Sequence, residues 1–259
     1  MSTILFHEIV FGPIHSRRLG SSLGMNLLPY DGKLCSFDCI YCECGYNKDF
    51  RTKTKLPSRE NVKAALEDKL IRLQNEGTSI DVITFAGNGE PSMHPQFAGI
   101  IDDTIKLRDK YFPNARISVL SNAMHIGKQS VFDTLKKVDN NILKLDSAII
   151  NMVRLIDRPN SPEYSIERQI ELFKRFEGDF IMQTMFVRGS HNGNTVDNTT
   201  DEEVSAWLEA VKATHPKEVM IYTIDRETPE KNLEKVPVEK LREIAKRVEE
   251  LSIKVNVAG

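Results

Sequence analysis

The apolar residues fall into two kinds of segment that alternate between residues 58 and 257. Short apolar runs are typical of strands buried on both faces, and apolar residues three or four positions apart are typical of helices. The runs predict strands at residues 22–28, 81–86, 117–120, 141–145, 180–186, 219–224 and 253–257. The other segments predict helices that begin at residues 58, 95, 131, 165, 200 and 237. This alternation indicates an α/β fold with a parallel sheet and helical crossovers.

Local signals mark the ends of several predicted helices. Ser58 can cap the first helix, and Gly77 is suited to end it. Thr200 and Glu203 form a capping box, and Pro237 opens the last helix.

Composition places the chain among ordinary globular proteins. It has 259 residues, of which 40% are hydrophobic and 28% charged, with a formal net charge of -2. A single α/β barrel can have this length, and the bulk charge does not indicate nucleic-acid binding. Residues 1–8 do not resemble a signal peptide, and no run approaches the ~18 apolar residues of a membrane span. We therefore expect a cytoplasmic protein.

All four cysteines lie close together, as Cys35, Cys39, Cys42 and Cys44. Cysteines used as small core residues would be scattered, and a disulfide framework would be spread along a short secreted chain. Clustered thiolates indicate soft ligands around one metal centre. A four-thiolate zinc site, an electron-transfer cluster with Cys44 as fourth ligand, and a disulfide pair are the alternatives. Zinc is disfavoured because structural zinc sites usually pair their ligands as two separated knuckles.

The spacing Cys35-x3-Cys39-x2-Cys42, with Tyr41 before the third cysteine, resembles the cluster loop of the radical S-adenosylmethionine (SAM) superfamily. The resemblance implies that these three thiolates hold a [4Fe-4S] cluster whose fourth iron binds SAM. An electron delivered to the sulfonium then gives methionine and a 5′-deoxyadenosyl radical. A fourth thiolate would block SAM, so the resemblance leaves Cys44 as a bystander.

A second motif, Gly87-Asn-Gly-Glu-Pro91, follows the predicted strand at 81–86. Ligands bind where the strands of an α/β sheet end, and glycines let the backbone approach them. The motif resembles the superfamily's GGEP element, which implies that Glu90 binds the SAM ammonium group with help from the backbone of Asn88 and Gly89. Asn88 departs from the usual residue at its position.

Further polar residues stand at the ends of later strands. The resemblance implies that Ser121 and Asn122 contact the ribose and that Tyr41 lies beside the adenine through its backbone. Strand alternation puts Lys144 and Asp146 on the same face, and we expect them to point inward as candidate catalytic residues. Four further candidates at strand ends are Gln183, Thr184, Tyr222 and Asp225.

Residues 11–20 are turn-rich and basic, and the pattern predicts a surface loop there. The segment from Phe11 to Gly24 resembles the opening of a radical SAM group related to the wyosine-base (tRNA imidazoguanine) synthases. Arg17 and Arg18 in this segment could bind an anionic substrate or a SAM carboxylate. The resemblance implies a partial (β/α)6 TIM-type barrel in one domain, residues 1–259, with its core at 11–226 and a C-terminal helix and strand at 237–257. Residues 189–194 are predicted to form a mobile loop over the barrel mouth.

These features predict a radical SAM enzyme of oxidoreductase or lyase type that abstracts hydrogen from an unidentified substrate. Its expected partners are a reductant such as flavodoxin or ferredoxin and a substrate that is a tRNA, a small molecule or a protein. No association with a membrane is expected. For tRNA, the basic side chains of Lys48, Arg51, Lys53 and Lys55 would face phosphates. Wyosine synthases carry three more N-terminal cysteines, and this chain has none before Cys35. A glycyl-radical activase and an iron–sulfur electron carrier are the alternative functions.

Overall fold

The computed structural model describes residues 4–16, 18–49 and 52–259. Arg17 and Arg51, which the sequence suggested as anion-binding residues, lie outside the described residues. The strands are β1 Val10–Ser16, β2 Gly20–Met25, β3 Val82–Phe85, β4 Arg116–Ser121, β5 Asn140–Lys144, β6 Ile181–His191, β7 Asn194–Asp197, β8 Glu218–Thr223, β9 Leu233–Lys235 and β10 Lys254–Ala258. The helices are α1 Arg59–Asn75, α2 Phe97–Tyr111, α3 Gln129–Leu135, α4 Ile150–Ile156, α5 Ile166–Lys174, α6 Asp201–Thr214 and α7 Val238–Glu249.

The main sheet is a curled half-barrel with the strand order β2-β3-β4-β5-β6-β8-β10, and every neighbouring pair along this path is parallel. β1 pairs antiparallel with β2 and forms one edge. The predicted α/β fold with a parallel barrel-type sheet is therefore confirmed. The last predicted strand is confirmed as well, because β10 pairs in parallel with β8. No helix in the described ranges is long and apolar enough to cross a membrane.

Packing on both faces of the sheet explains why the pattern of apolar residues predicts these strands and helices. All four residues of β3 are buried, as expected for a strand covered on both sides. α1 buries the stripe predicted from its periodicity, including Val62, Leu66 and Leu70. The predicted caps are present, since the side chains of Ser58 and Thr200 accept hydrogen bonds from the first turns of α1 and α6.

Two predictions for irregular segments are wrong. Residues 11–20, predicted as turn-rich, include most of β1, whose register shifts between Phe11 and Ile14. An edge strand tolerates glycine and proline at such an irregularity, so these residues misled the prediction. Residues 189–194 form the end of β6, a tight turn and the start of β7. Gly189 permits this arrangement because it has no Cβ atom. A Cβ atom there would stand 2.0 Å from the Asn232 carbonyl oxygen beside β9.

Candidate active site

The cysteine loop follows β2 and is held by backbone groups from a distant part of the chain. The amides of Asp38 and Ile40 donate hydrogen bonds to the carbonyl oxygens of Asp157 and Ile156 at 3.0 Å and 2.9 Å. The Asn47 side chain accepts from the Cys35 amide and donates to the Cys35 carbonyl, both at 3.1 Å. The loop is therefore fixed by backbone bonds to residues 156–157 and by the side chain of Asn47.

The four thiols are free, and Cys39 is the most deeply buried of them. Burial raises the pKa of Cys35 to about 12, against the attraction of Lys33. Burial also raises the pKa of Cys39. A hydrogen bond from the Cys44 thiol, aided by Lys33, lowers the pKa of Cys42 to about 6. Cys42 is thus the thiol that most readily supplies a thiolate, which is the form that binds metal.

The arrangement of the ligands bears on which metal centre fits. No three His, Cys, Asp or Glu side chains in the described part of the chain converge as a group that could hold a metal ion. A four-thiolate zinc site needs four ligands that converge on one point at ~2.0–2.3 Å. A [4Fe-4S] cluster binds each thiolate through a different iron, so its ligands need not meet at one point. Cys35, Cys39 and Cys42 on one fixed loop fit the cluster better.

A buried lysine beneath the cysteine loop was not predicted. Lys33 is 3% exposed, and its Nζ atom donates to the Gly45 carbonyl oxygen at 3.0 Å and lies 3.3 Å from Asp38 Oδ1. Burial opposes its charge, but the thiols of Cys42, Cys39 and Cys35, and then Asp38, outweigh burial and raise the pKa of Lys33. Lys33 therefore places a positive charge beside the thiolates. No periodicity or motif in the sequence distinguishes this lysine from a surface one.

Glu90 lies at the centre of the predicted SAM-binding turn and is 1% exposed. Its Oε1 atom accepts from the Ser92 amide, the Ser92 hydroxyl and the Ser121 hydroxyl, while Oε2 accepts from the Asn122 amide at 2.7 Å. Burial raises the pKa of Glu90, although these donors oppose the shift. Since an ionised carboxylate offers about four acceptor sites, Oε2 retains capacity for one more donor.

The glycine-rich turn is bonded directly to the cysteine loop. The Leu34 amide donates to the Asn88 carbonyl at 2.9 Å, and the Glu90 amide donates to the Leu34 carbonyl at 3.1 Å. Gly89 lies between them at φ 135°, and a Cβ atom there would be 1.9 Å from the Leu34 carbonyl oxygen. Only glycine permits this contact. The Asn88 side chain bonds the backbone of Phe6 and Pro29, so it holds the turn in place and its amide is already occupied.

Ser121 and Asn122 at the end of β4 connect Glu90 to the cysteine loop. The Ser121 hydroxyl donates to Glu90 at 2.9 Å, so this group orients the carboxylate. The Asn122 side-chain amide donates to the Ser36 hydroxyl at 2.9 Å and lies 3.5 Å from the Cys35 sulfur. The Phe37 amide also donates to the Cys35 sulfur, at 3.4 Å. Hydrogen bonds to thiolates are among the factors that set cluster potentials.

Lys144 and Asp146 point into the barrel, where Tyr41 and Asp157 join them. The Lys144 ammonium group contacts the Asp146 and Asp157 carboxylates and the Tyr41 hydroxyl, which also donates to Asp146. Burial and the nearby Asp146 raise the pKa of Asp157 to about 8, despite the attraction of Lys144. The Asp157 carboxyl group is therefore mostly protonated near pH 7. Asp157 was not predicted, because it follows α4 at a position without any pattern.

A cavity of about 320 Å³ opens beside the cysteines, near the middle of β6 and the carboxyl end of β8. Its walls include the side chains of Arg18, Tyr41, Cys42, Met185 and Tyr222. Glu90, Ser121 and Asn122 do not line it. The cavity is therefore separate from the predicted methionine-binding turn but adjoins the cysteine loop.

A parallel half-barrel with a cysteine loop and a glycine-rich turn at the carboxyl ends of its strands defines a class of cofactor-binding α/β proteins. A family model described as the radical SAM superfamily matches residues 31–178, which is more than half of the chain. The chain therefore belongs to the radical SAM superfamily. Its cofactors are a [4Fe-4S] cluster and S-adenosylmethionine.

Two relatives match nearly the whole chain. A protein from Methanocaldococcus jannaschii named a UPF0026 protein is 30% identical over 241 residues, covering 91% of this chain and 70% of the relative. A Brachyspira hyodysenteriae protein named GTPase Obg is 28% identical over 252 residues, covering 96% of this chain. The chain spans only 35% of that second relative's length.

Solved structures are similar in fold at low identity. A radical SAM methyltransferase from Sphaerobacter thermophilus has a TM-score of 0.66 at 13% identity, with 92% of this chain and 66% of that chain covered. Streptococcus suis SuiB bound to its precursor peptide SuiA gives 0.63 at 14%, with 90% and 49% covered. TYW1 with a lysine–pyruvate adduct gives 0.59 at 14%, with 88% and 73% covered. These similarities extend over most of the chain and support the barrel-type fold.

Proposed function

We propose that Cys35, Cys39 and Cys42 hold the cluster and that this chain uses SAM to abstract a hydrogen atom from its substrate. When bound and reduced, the cluster supplies the electron that splits SAM into methionine and a 5′-deoxyadenosyl radical. The observation that carries the proposal is a pair of backbone hydrogen bonds: the Leu34 amide donates to the Asn88 carbonyl oxygen, and the Glu90 amide donates to the Leu34 carbonyl oxygen. They hold the cysteine loop and the glycine-rich turn as one unit, as binding of one SAM molecule to both would require.

The other residues have defined parts in this proposal. Glu90 Oε2 accepts the SAM ammonium group, and Ser121 keeps the carboxylate oriented. Asn122 provides the polar contact to the ribose after its present bond to Ser36 is exchanged. Lys144 and Asp146 are the candidate catalytic pair. Through their contacts with Tyr41 they would also position the cysteine loop.

The proposal is tested on protein reconstituted anaerobically with iron and sulfide. Chemical reduction in the presence of SAM should yield 5′-deoxyadenosine, detected by liquid chromatography, with flavodoxin or ferredoxin as the proposed biological reductant. A reducible cluster that never yields 5′-deoxyadenosine would instead establish the electron-carrier alternative. A protein substrate that acquires a glycyl radical would establish the activase alternative.

A tRNA base is the substrate class that the wyosine-related resemblance suggests. The observation in its favour is that Lys48, Lys53 and Lys55 are all exposed near the cysteine loop. About four phosphate contacts with single-stranded RNA would give a log–log salt slope of roughly -3, because counterions are released on binding. We expect Lys53→Ala/Lys55→Ala to make the slope shallower by about one to two units. Filter binding of total tRNA at several salt concentrations measures this, and absence of binding at low salt would exclude the RNA substrate.

A further inference from the structure

Arg18 extends through the barrel interior. It stands in the turn between β1 and β2, at the edge where the parallel strands begin. Its guanidinium carbon nevertheless lies 4.4 Å from the centroid of the Tyr222 ring, near the end of β8. The same side chain lines the cavity that Cys42 and Tyr41 border. The arginine therefore reaches from the amino-terminal ends of the parallel strands to the wall of this cavity.

One nitrogen of this guanidinium group, the buried Nη1 atom, has no hydrogen-bond partner among the described residues. The acidic residues on the cavity wall have partners of their own, since Glu43 pairs with Arg226 at 2.7 Å and Asp225 lies 3.4 Å from Lys235. A buried, unsatisfied donor on a charged group is costly, and arginines in proteins normally meet this cost by binding an anion.

The shape of the cavity limits what the anion can be. Tyr222 covers one face of the guanidinium group, so the polar edge remains for a planar, two-point contact with a carboxylate or phosphate. A volume of about 320 Å³ is at the lower end of the range for small-molecule sites. The SAM methionine part is not the expected occupant, because Glu90 and Asn122 lie outside this cavity.

We propose that Arg18 binds a carboxylate or phosphate group of the substrate in the cavity beside Cys42. The assignment of this anion to the substrate rests on the proposed function, because hydrogen abstraction would occur beside the cluster that Cys42 helps to hold, and Cys42 lines the cavity. Arg18 would then select substrates by their anionic group and place the rest of the molecule between Tyr222 and the cysteine loop.

The test uses reconstituted holoenzyme with SAM and two probes, malonate for carboxylates and inorganic pyrophosphate for phosphates. Calorimetry should show binding of one probe to the wild type, which identifies the anion class. Arg18→Gln should weaken that binding about ten- to a hundredfold, and Arg18→Lys should weaken it less, because it keeps the charge but loses the two-point contact. Arg226→Gln is the matched control, since it removes a cavity arginine that is 56% exposed and already paired.

Several outcomes would overturn the proposal. One is that neither probe binds to the wild type. Another is that Arg18→Gln binds the probe as tightly as the wild type does. A third is that Arg226→Gln loses as much probe affinity as Arg18→Gln. A parallel loss of SAM affinity in Arg18→Gln and Arg18→Lys would assign the arginine to SAM. Failure of the wild type to form 5′-deoxyadenosine would contradict the proposed function while leaving the measured dependence of anion binding on Arg18 intact.

Discussion

Replacement of Cys39 by alanine is expected to abolish both the iron–sulfur absorbance and the formation of 5′-deoxyadenosine. Cys39 is the most buried of the cysteines, and the loop around it is fixed by bonds from Asp38 and Ile40 to the segment after α4. No other thiol can move into its place without breaking those bonds. Cys35→Ala and Cys42→Ala should have the same effect, because each thiolate would bind a separate iron. Visible absorbance, iron content and product analysis on anaerobically reconstituted protein measure the loss.

Cys44→Ala is the matched control, since it removes a thiol from the same loop. It should retain the cluster and SAM cleavage, because the proposed cluster uses only three protein thiolates. The variant would still remove the hydrogen bond that Cys44 donates to Cys42. Loss of the cluster in Cys44→Ala, together with its retention in one of the other three variants, would contradict the ligand assignment. It would favour an electron-transfer cluster that includes Cys44.

The parts of the fold that could be predicted are those whose burial leaves a periodic pattern. β3 and α1 are covered by the rest of the molecule, so their apolar residues repeat as the element requires. β7 and β9 have four and three residues, and they pair with the C-terminal half of β6, one on each side. β7 buries only Val196 and β9 buries no residue, so neither shows an apolar run, and the sequence indicated a loop over residues 189–194 instead.

The same distinction applies to the site. The motif cysteines and Glu90 belong to short sequence motifs that can be recognised directly. Strand alternation alone predicts that Lys144 and Asp146 share a face. The two residues that contact this pair, Tyr41 and Asp157, could not be predicted in this way. Tyr41 bonds to Asp146 across 105 positions, and Asp157 enters from a loop, so both depend on the tertiary arrangement. Lys33 was missed for a related reason, because its burial follows from how the cysteine loop folds over it.

Glu90 has more contacts than its motif implied. The resemblance assigned it to the SAM ammonium group, whereas the structure shows a carboxylate already bound by Ser92, Ser121 and Asn122. These bonds connect the ends of β3 and β4, so Glu90 also organises the turn. A substitution there would change both ligand binding and local structure.

Lys144→Met is expected to destabilise the fold by about 3–5 kcal/mol, because it removes the cation that compensates buried carboxyl groups. The Lys144 side chain is 12% exposed, and those of Asp146 and Asp157 are 1% and 3% exposed. Methionine has a similar length and apolar body, so the change tests the charge rather than the packing. Asp146 would keep the Tyr41 hydroxyl and the Met185 amide at 2.9 Å, but no positive charge. Urea unfolding under reducing conditions, followed by circular dichroism, measures the free-energy change.

Lys217→Met provides the matched control. Lys217 pairs with Asp179 at 2.8 Å, but the two side chains are 39% and 62% exposed, so water screens the pair. Its replacement should cost no more than about 1 kcal/mol. Asp157→Asn should cost less than Lys144→Met, because the raised pKa of Asp157 means that its carboxyl group is already mostly protonated near pH 7. Equal stability of Lys144→Met and Lys217→Met would show that Lys144 does not hold the network together. In that case its position beneath Tyr41 would have to be explained by chemistry on the substrate alone.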